Sequence, residues 1–171
     1  MGYVHDTAMS QWVEANDMMN SAGTWTQKET ATADVWCKER TAAHADWNSF
    51  IPILLPQNSV PGKGSRLESI ELWYKILTEN LNWVTPLIYK VTKQVHGTAP
   101  AVGELVAFSA DTGHGGASDR LDQDEHLVKL TLTTPVWMDH DDLYFVQMDC
   151  SAEANGVFEW IGAKINYTFR V

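Results

Sequence analysis

The closing stretch "GVFEWIGAKINYTFRV" carries the clearest pattern in the chain. Odd positions from Ile161 to Val171 read Ile, Ala, Ile, Tyr, Phe and Val, and the positions between them read Gly, Lys, Asn, Thr and Arg. Strand side chains point alternately to the two faces, so this period of two buries one face only. Such a ribbon belongs in an antiparallel sheet covered on one side, not in a parallel sheet between helices. The same period recurs upstream. In "RLESIELWYKI" Ile70, Leu72, Tyr74 and Ile76 face one way, with Glu71, Trp73 and Lys75 opposite. In "HLVKLTLTTPVWM" Val128, Leu130 and Leu132 point inward, and in "LYFVQMDCSA" Tyr144, Val146, Met148 and Cys150 share a face. "ADVWCKERT" sets Val35, Cys37 and Glu39 against Trp36 and Lys38. "WVTPLIYKVTKQV" predicts a strand broken or bulged at Pro86, and "ELVAFSAD" predicts another. Pro52 in "SFIPILLP" cannot donate to a ladder, which assigns it to an edge or a bulge. "PQNSVPGKGS" is a turn-rich connection.

The first segment differs. In "HDTAMSQWVEANDMMNSAG" Met9, Trp12 and Val13 fit one face of a short helix capped by Asp6 or Thr7 and ended by Gly23. An extended arm lying on a neighbouring subunit uses the same residues. The expected organisation is therefore residues 1–23 as a short helix or arm and residues 24–171 as one β domain. Seven or eight strands, with turn signals between them, predict an all-β fold: an antiparallel β-sandwich of jelly-roll type, with a closed barrel as the competitor.

Composition sharpens this. A chain of 171 residues suits one domain and can bury a full core. Eight tryptophans favour β structure or a binding surface built from rings. A formal net charge of −10 repels phosphate backbones and anionic lipid, so neither nucleic acid nor membrane is an expected partner. No apolar run approaches the ~20 residues of a membrane span. The start lacks a basic region followed by an apolar stretch, and Asp6 stands where a lipidation signal has Ser or Thr. The expectation is a protein that stays where it is made or leaves by lysis or within a particle. Cys37 and Cys150 are expected as two buried thiols, with a single disulfide as the alternative.

The candidate chemistry concentrates in two polar stretches. "DTGHGGASDRLDQDEH" holds five carboxylates and two histidines between two strands, and its glycines suit a long connection. Calcium on Asp119, Asp122 and Asp124 is the metal candidate, but their spacing is not that of an EF-hand loop. His114 and His126 lack the spacing of a zinc pair. The expectation is a solvated connection and no cofactor, with calcium as the alternative. "MDHDD" sits where a hairpin turn belongs, and a divalent ion could bridge it to the first loop if both lay at one end of the sandwich. There is no GxSxG elbow, and "GKGS" is too short for a phosphate loop. An enzyme is not expected.

Trp73 and Trp160 fall opposite the apolar register of their strands, which makes them outward rings. With Trp12, Met18 and Met19 of the first segment they form the expected interface set. The alternative use of exposed rings is sugar stacking, as in a carbohydrate-binding sandwich, with or without calcium.

"GSRLESIELWYKI", "DEHLVKLTLTTPVWMDHDDLYFVQMDC" and "GVFEWIGAKINYTFRV" together resemble, over residues 62–171, small virion structural proteins of tailed phages of the head-decoration or fibre-like kind. The resemblance implies a non-enzymatic protein of a bacteriophage particle, such as a capsid decoration protein. It implies a homo-oligomer docked on other virion components, such as a capsid protein, and located in the virion. It implies function by multivalent contact and by strand or arm exchange. No functional residue is carried over from it.

Overall fold

The structure, a computed structural model, describes residues 5–30, 35–60, 62–78, 81–93 and 103–171. Among these, twelve strands form: β1 (Asp6–Glu14), β2 (Met19–Asn20), β3 (Trp25–Glu29), β4 (Trp36–Arg40), β5 (Ala45–Ile53), β6 (Gly64–Ile76), β7 (Leu81–Thr92), β8 (Gly103–Leu105), β9 (Phe108–Ala110), β10 (Glu125–Trp137), β11 (Asp142–Ala152) and β12 (Phe158–Arg170). The only helical pieces among the described residues are two three-residue 3-10 turns, Ala15–Asp17 and Ser118–Arg120.

The strands make two antiparallel sheets. One runs β3-β4-β12-β6-β10-β9, with β1 also on β12; the other runs β2-β5-β11-β7-β8. Stripped of short additions, the layers are β4-β12-β6-β10 and β5-β11-β7-β8, and the chain changes sheet at each step from β4 to β7 and from β10 to β12. That order is a jelly roll. The inward set foreseen from the two-residue period is the observed core. Ile70, Leu72, Tyr74 and Ile76 of β6, Val128, Leu130 and Leu132 of β10, and Tyr144, Val146, Met148 and Cys150 of β11 are all buried in one cluster. Burying each large apolar side chain contributes roughly 1.5–3 kcal/mol. The aromatic end of this core joins Trp25, Trp47 and Phe158 edge-to-face, with the Arg40 guanidinium 4.1 Å from the Trp47 ring centre.

Several expectations are corrected. Among the described residues the first segment contains no α-helix and lies on its own sandwich: β1 pairs antiparallel with β12 from Asp6–Arg170 to Glu14–Gly162. Met9 and Val13 are four residues apart, a spacing that suits one helix face and equally one strand face, and the unpaired edge of β12 decides for the strand. Arg170 fastens its start by donating to both oxygens of Asp6, at 2.6 and 2.7 Å. Met18, expected to grip a neighbour, is 2% exposed. The chain crosses from one sheet to the other through Ala15–Met18, and that crossing drops the Met18 side chain into the core, while Lys38 Nζ donates to its carbonyl at 3.1 Å.

Trp160, expected outward, is fully buried. The cause is a bulge: the β12–β6 register shifts between Trp160 and Gly162. A bulge adds one residue and so reverses which positions face inward on its far side. Phe158 and Trp160 therefore point to the core together with Ala163 and Ile165. Pro86 neither breaks nor bulges β7; it pairs in register with Met148, beside a stretch that the short β8 leaves uncovered. Pro52 sits likewise in β5 beyond the reach of β2, at a free edge as anticipated. Cys37 and Cys150 are buried and unpaired.

Candidate functional site

Strand β12 has β6 along one whole side. Its other side is shared end to end: β4 pairs with Phe158–Trp160 and β1 with Gly162–Arg170. Ile161, at the bulge, pairs with neither. A groove of about 510 Å³ opens at this break, lined by Trp12, Val13, Glu14, Ala15, Asn16, Gln27, Val35, Trp36, Trp73 and Ile161. Ile161 lies outside the core cluster and supplies part of the groove's apolar wall.

Two tryptophans of this groove stack on each other. Trp12 and Trp73 have ring centroids 6.2 Å apart and planes 22° from parallel. They come from strands on opposite sides of β12 and meet beside Gly162. Gly162 is opposite Trp73 on β6 and Glu14 on β1, with Trp12 one diagonal step away opposite Lys164. A Cβ on Gly162 would stand 2.9 Å from the Val13 carbonyl oxygen and 3.7 Å from the Trp12 ring. The bare backbone thus lets β1 approach closely at Val13 with the Trp12 ring in contact above it, an arrangement known for aromatic residues beside strand glycines. Trp73 is held by a hydrogen bond from its Nε1 to the Glu125 carboxylate. Trp12 stays 60% exposed, and Trp36, from β4 across the break, is 63% exposed.

The polar part of the groove is small. Gln27 Nε2 donates to Asn16 Oδ1. That bond leaves the Gln27 carbonyl as an acceptor and the Asn16 amide hydrogens as donors, a pair suited to hydroxyl groups. Glu14 adds a carboxylate. Rings that offer an apolar face beside a few polar groups of mixed donor and acceptor character are the make-up of a small-molecule site.

The other tryptophans are engaged elsewhere. Trp25, Trp47 and Trp160 pack on or in the core. Trp83 Nε1 donates to Asp149 at 3.3 Å, and Trp137 lies under Arg170 with 4.9 Å to its ring centre. Of the five residues expected at an interface, the structure brings Trp12 and Trp73 together, leaves Met19 exposed on β2 at 62%, and buries Met18 and Trp160. Trp36, Glu14, Asn16 and Gln27 were not singled out beforehand. Trp36 alone had a signal, its position opposite Cys37 in an alternating strand.

The acidic loops are structured from within. Asp111 accepts from the Lys129 N–H and from His114 Nδ1, each at 2.9 Å. Burial works to raise the Asp111 carboxyl, and these two bonds outweigh it, leaving the group below its usual value. Asp119 accepts from the Gly116 N–H at 2.9 Å, and Asp124 from the Glu125 N–H at 2.8 Å. Arg120 ties the loop down by donating to the carbonyls of Val84 and His114, at 2.9 Å each. Buried His126 stacks on Tyr74 with centroids 4.9 Å apart. Among the described residues, the ligand atoms that gather closely enough for an ion belong to Asp139, His140 and Asp141, at the surface of the other loop, and not to Asp119, Asp122 and Asp124. The two loops flank β10, one before Glu125 and one after Trp137, so they lie at opposite ends of the sandwich and no ion bridges them.

No family model matches the sequence, and no curated protein matches it. Solved structures give low-identity likenesses. One is the enzymatically active domain of bacteriophage CBA120 tailspike protein 4, 12% identical, with a TM-score of 0.45, covering 92% of this chain and 20% of that one. Another is the family 11 carbohydrate-binding module of the cellulosomal cellulase Lic26A-Cel5E of Clostridium thermocellum, 8% identical, with a TM-score of 0.39, covering 96% of this chain and 88% of that one. A third is the Agl-KA catalytic domain, 11% identical, with a TM-score of 0.41, covering 91% of this chain and 27% of that one. The chain spans a small fraction of the tailspike domain's length. No residue correspondence is drawn from these likenesses.

Proposed function

We propose that the protein is a non-enzymatic carbohydrate-binding β-sandwich whose ligand stacks on the Trp12–Trp73 platform and meets Trp36 across the groove. The observation that carries this reading is the open groove lined by three tryptophans beside an amide pair and a carboxylate. A pyranose ring has an apolar face of C–H bonds and a rim of hydroxyls that both donate and accept, and the groove offers partners for each. Cleavage of a glycosidic bond uses two carboxylates flanking it. Among the described lining residues Glu14 is the one carboxylate, and Glu125 at the platform's border is engaged by Trp73 Nε1, which supports binding without chemistry.

A glycan array tests this directly. The wild-type protein is expected to bind a defined set of glycans, equally with and without a calcium chelator. Trp12→Ala and Trp73→Ala are expected to lose at least about tenfold in affinity, the equivalent of roughly 1.4 kcal/mol. Array signals unchanged by both substitutions would refute the platform.

A second reading keeps the protein as a structural part of a phage-like particle, a capsid decoration or fibre component. It is favoured by β1, an edge strand with one side unpaired among the described residues, and by exposed Met19 nearby in sequence. Open edges accept further strands, and a homo-oligomer or a capsid protein is the partner such an edge suits. The mass of the purified protein in solution separates the two: a monomer that binds sugar fits the first reading, and a stable closed oligomer without sugar binding fits the second.

A further inference from the structure

From the charges around the groove we infer that its ligand is a neutral glycan chain, and that Glu14 is the residue that rejects acidic sugars. This rests on the carbohydrate reading and adds a ligand class to it. Among the described lining residues no Lys, Arg or His is present, and Glu14 is the one ionisable group. Glu125, bonded to Trp73 Nε1, sets a second carboxylate at the platform's border. The cation nearest by register is Lys164, opposite Trp12, and its Nζ already stands 3.8 Å from the Glu71 carboxylate, so a uronate or sialate carboxylate entering here finds no unpaired cation among the described lining residues. It meets like charge close by and, further off, the field of a molecule of net charge −10. Recognition of carboxylates ordinarily uses Arg, through its fork of N–H donors, or Lys.

The groups that are present suit neutral sugars. An ionised carboxylate accepts from two neighbouring hydroxyls, the Gln27 carbonyl accepts from a third, and the Asn16 amide donates to a hydroxyl or ring oxygen. Shape adds to this. The groove is a notch between β1 and β4 with rings on both sides, not a single flat face. Such a notch admits a single soluble chain, whereas the packed face of a crystalline polysaccharide needs rings in one plane. The ligand class is therefore a short stretch of one neutral hexose or N-acetylhexosamine chain.

The test uses the full-length protein on an array carrying neutral chains (cello-, malto- and chito-oligosaccharides among them) beside oligogalacturonates and sialylated glycans. Affinities of the hits are then measured by titration for wild type, Trp12→Ala and Glu14→Gln. The expected result is that wild-type hits are neutral, with acidic glycans at least about tenfold weaker. Glu14→Gln should raise acidic relative to neutral affinity several-fold, and added salt should narrow the wild-type gap. If oligogalacturonate or sialylated glycans bind wild type as tightly as neutral ones, and Trp12→Ala abolishes that binding, the groove is a sugar site but the charge selectivity is wrong. If no glycan of either class binds, the carbohydrate reading falls, and this inference with it. A Glu14→Gln protein with an unchanged acidic-to-neutral ratio overturns the role of Glu14.

Discussion

Gly162 is the residue on which the groove depends, and nothing in the sequence pattern marked it beyond its place on the polar face of a strand. A Cβ there would press on the Val13 carbonyl oxygen of β1 at 2.9 Å, beneath the Trp12 ring at 3.7 Å. Gly162→Val is expected to cost about 1–3 kcal/mol of stability, as overpacking does. It is also expected to part the Trp12–Trp73 stack, so that ligand affinity falls with it; urea unfolding and titration read the two effects separately. Trp160 gives the contrasting case. Its ring is wholly inside and its indole N–H has no hydrogen-bond partner among the described residues. Trp160→Ala should therefore cost about 3–5 kcal/mol. Trp160→Phe, which loses no hydrogen bond, should cost clearly less, and neither should move an oligomeric equilibrium. Alternation alone placed Trp160 on the outer face because a one-residue bulge is invisible to a count of apolar positions. The same count placed Trp73 correctly because no bulge intervenes between it and Tyr74.

At the scale of elements, the long strands were legible and the short ones only in part. β6, β10, β11 and most of β12 follow from strict alternation, since each has one buried and one wetter face. β2 has two residues, too few for a period to register, and "ELVAFSAD", expected as one strand, divides between β8 and β9, which lie in different sheets. β1 was ambiguous because its apolar spacing fits two geometries, and only the edge of β12, far away in sequence, resolves it. Removing residues 1–14 should bare that edge and the Ile161 wall, lowering the melting temperature and raising light scattering. A truncated protein as stable and as soluble as the full chain would make β1 a dispensable arm. The loop before β10 has its own signature. The folded Asp111 carboxyl titrates below its unfolded value near 3.9, so its stabilisation is present above that pH and is lost as pH falls through the depressed folded value. Asp111→Asn should lower the melting temperature at neutral pH, and the gap from wild type should shrink as pH drops below about 4.

For the whole molecule, the jelly roll explains how a groove forms at a sheet's margin without a gap in the core. One layer must accommodate β1 and β4 along a single edge of β12, and the seam between them is the candidate site. Composition pointed to β structure or a surface built from rings, and topology decides which rings stand at the seam. Three of the eight tryptophans line the seam while others serve the core or surface hydrogen bonds. The sequence could not reveal the seam because it is made by three strands distant along the chain. The thiols report on the intactness of this body. Burial, as the largest influence, pushes the Cys37 thiol up to about 11, and Cys150 is also raised by burial. Both should resist alkylation at pH 8 in the native protein and react at once after denaturation.

The most direct test of the central claim is calorimetric titration of a neutral oligosaccharide chosen from the array into wild type and into Trp12→Ala, at matched stability. Saturable binding at a single site, weakened at least about tenfold by the substitution, is the predicted result. Equal affinity in the two proteins, or no heat of binding from any glycan in the wild type, would contradict it.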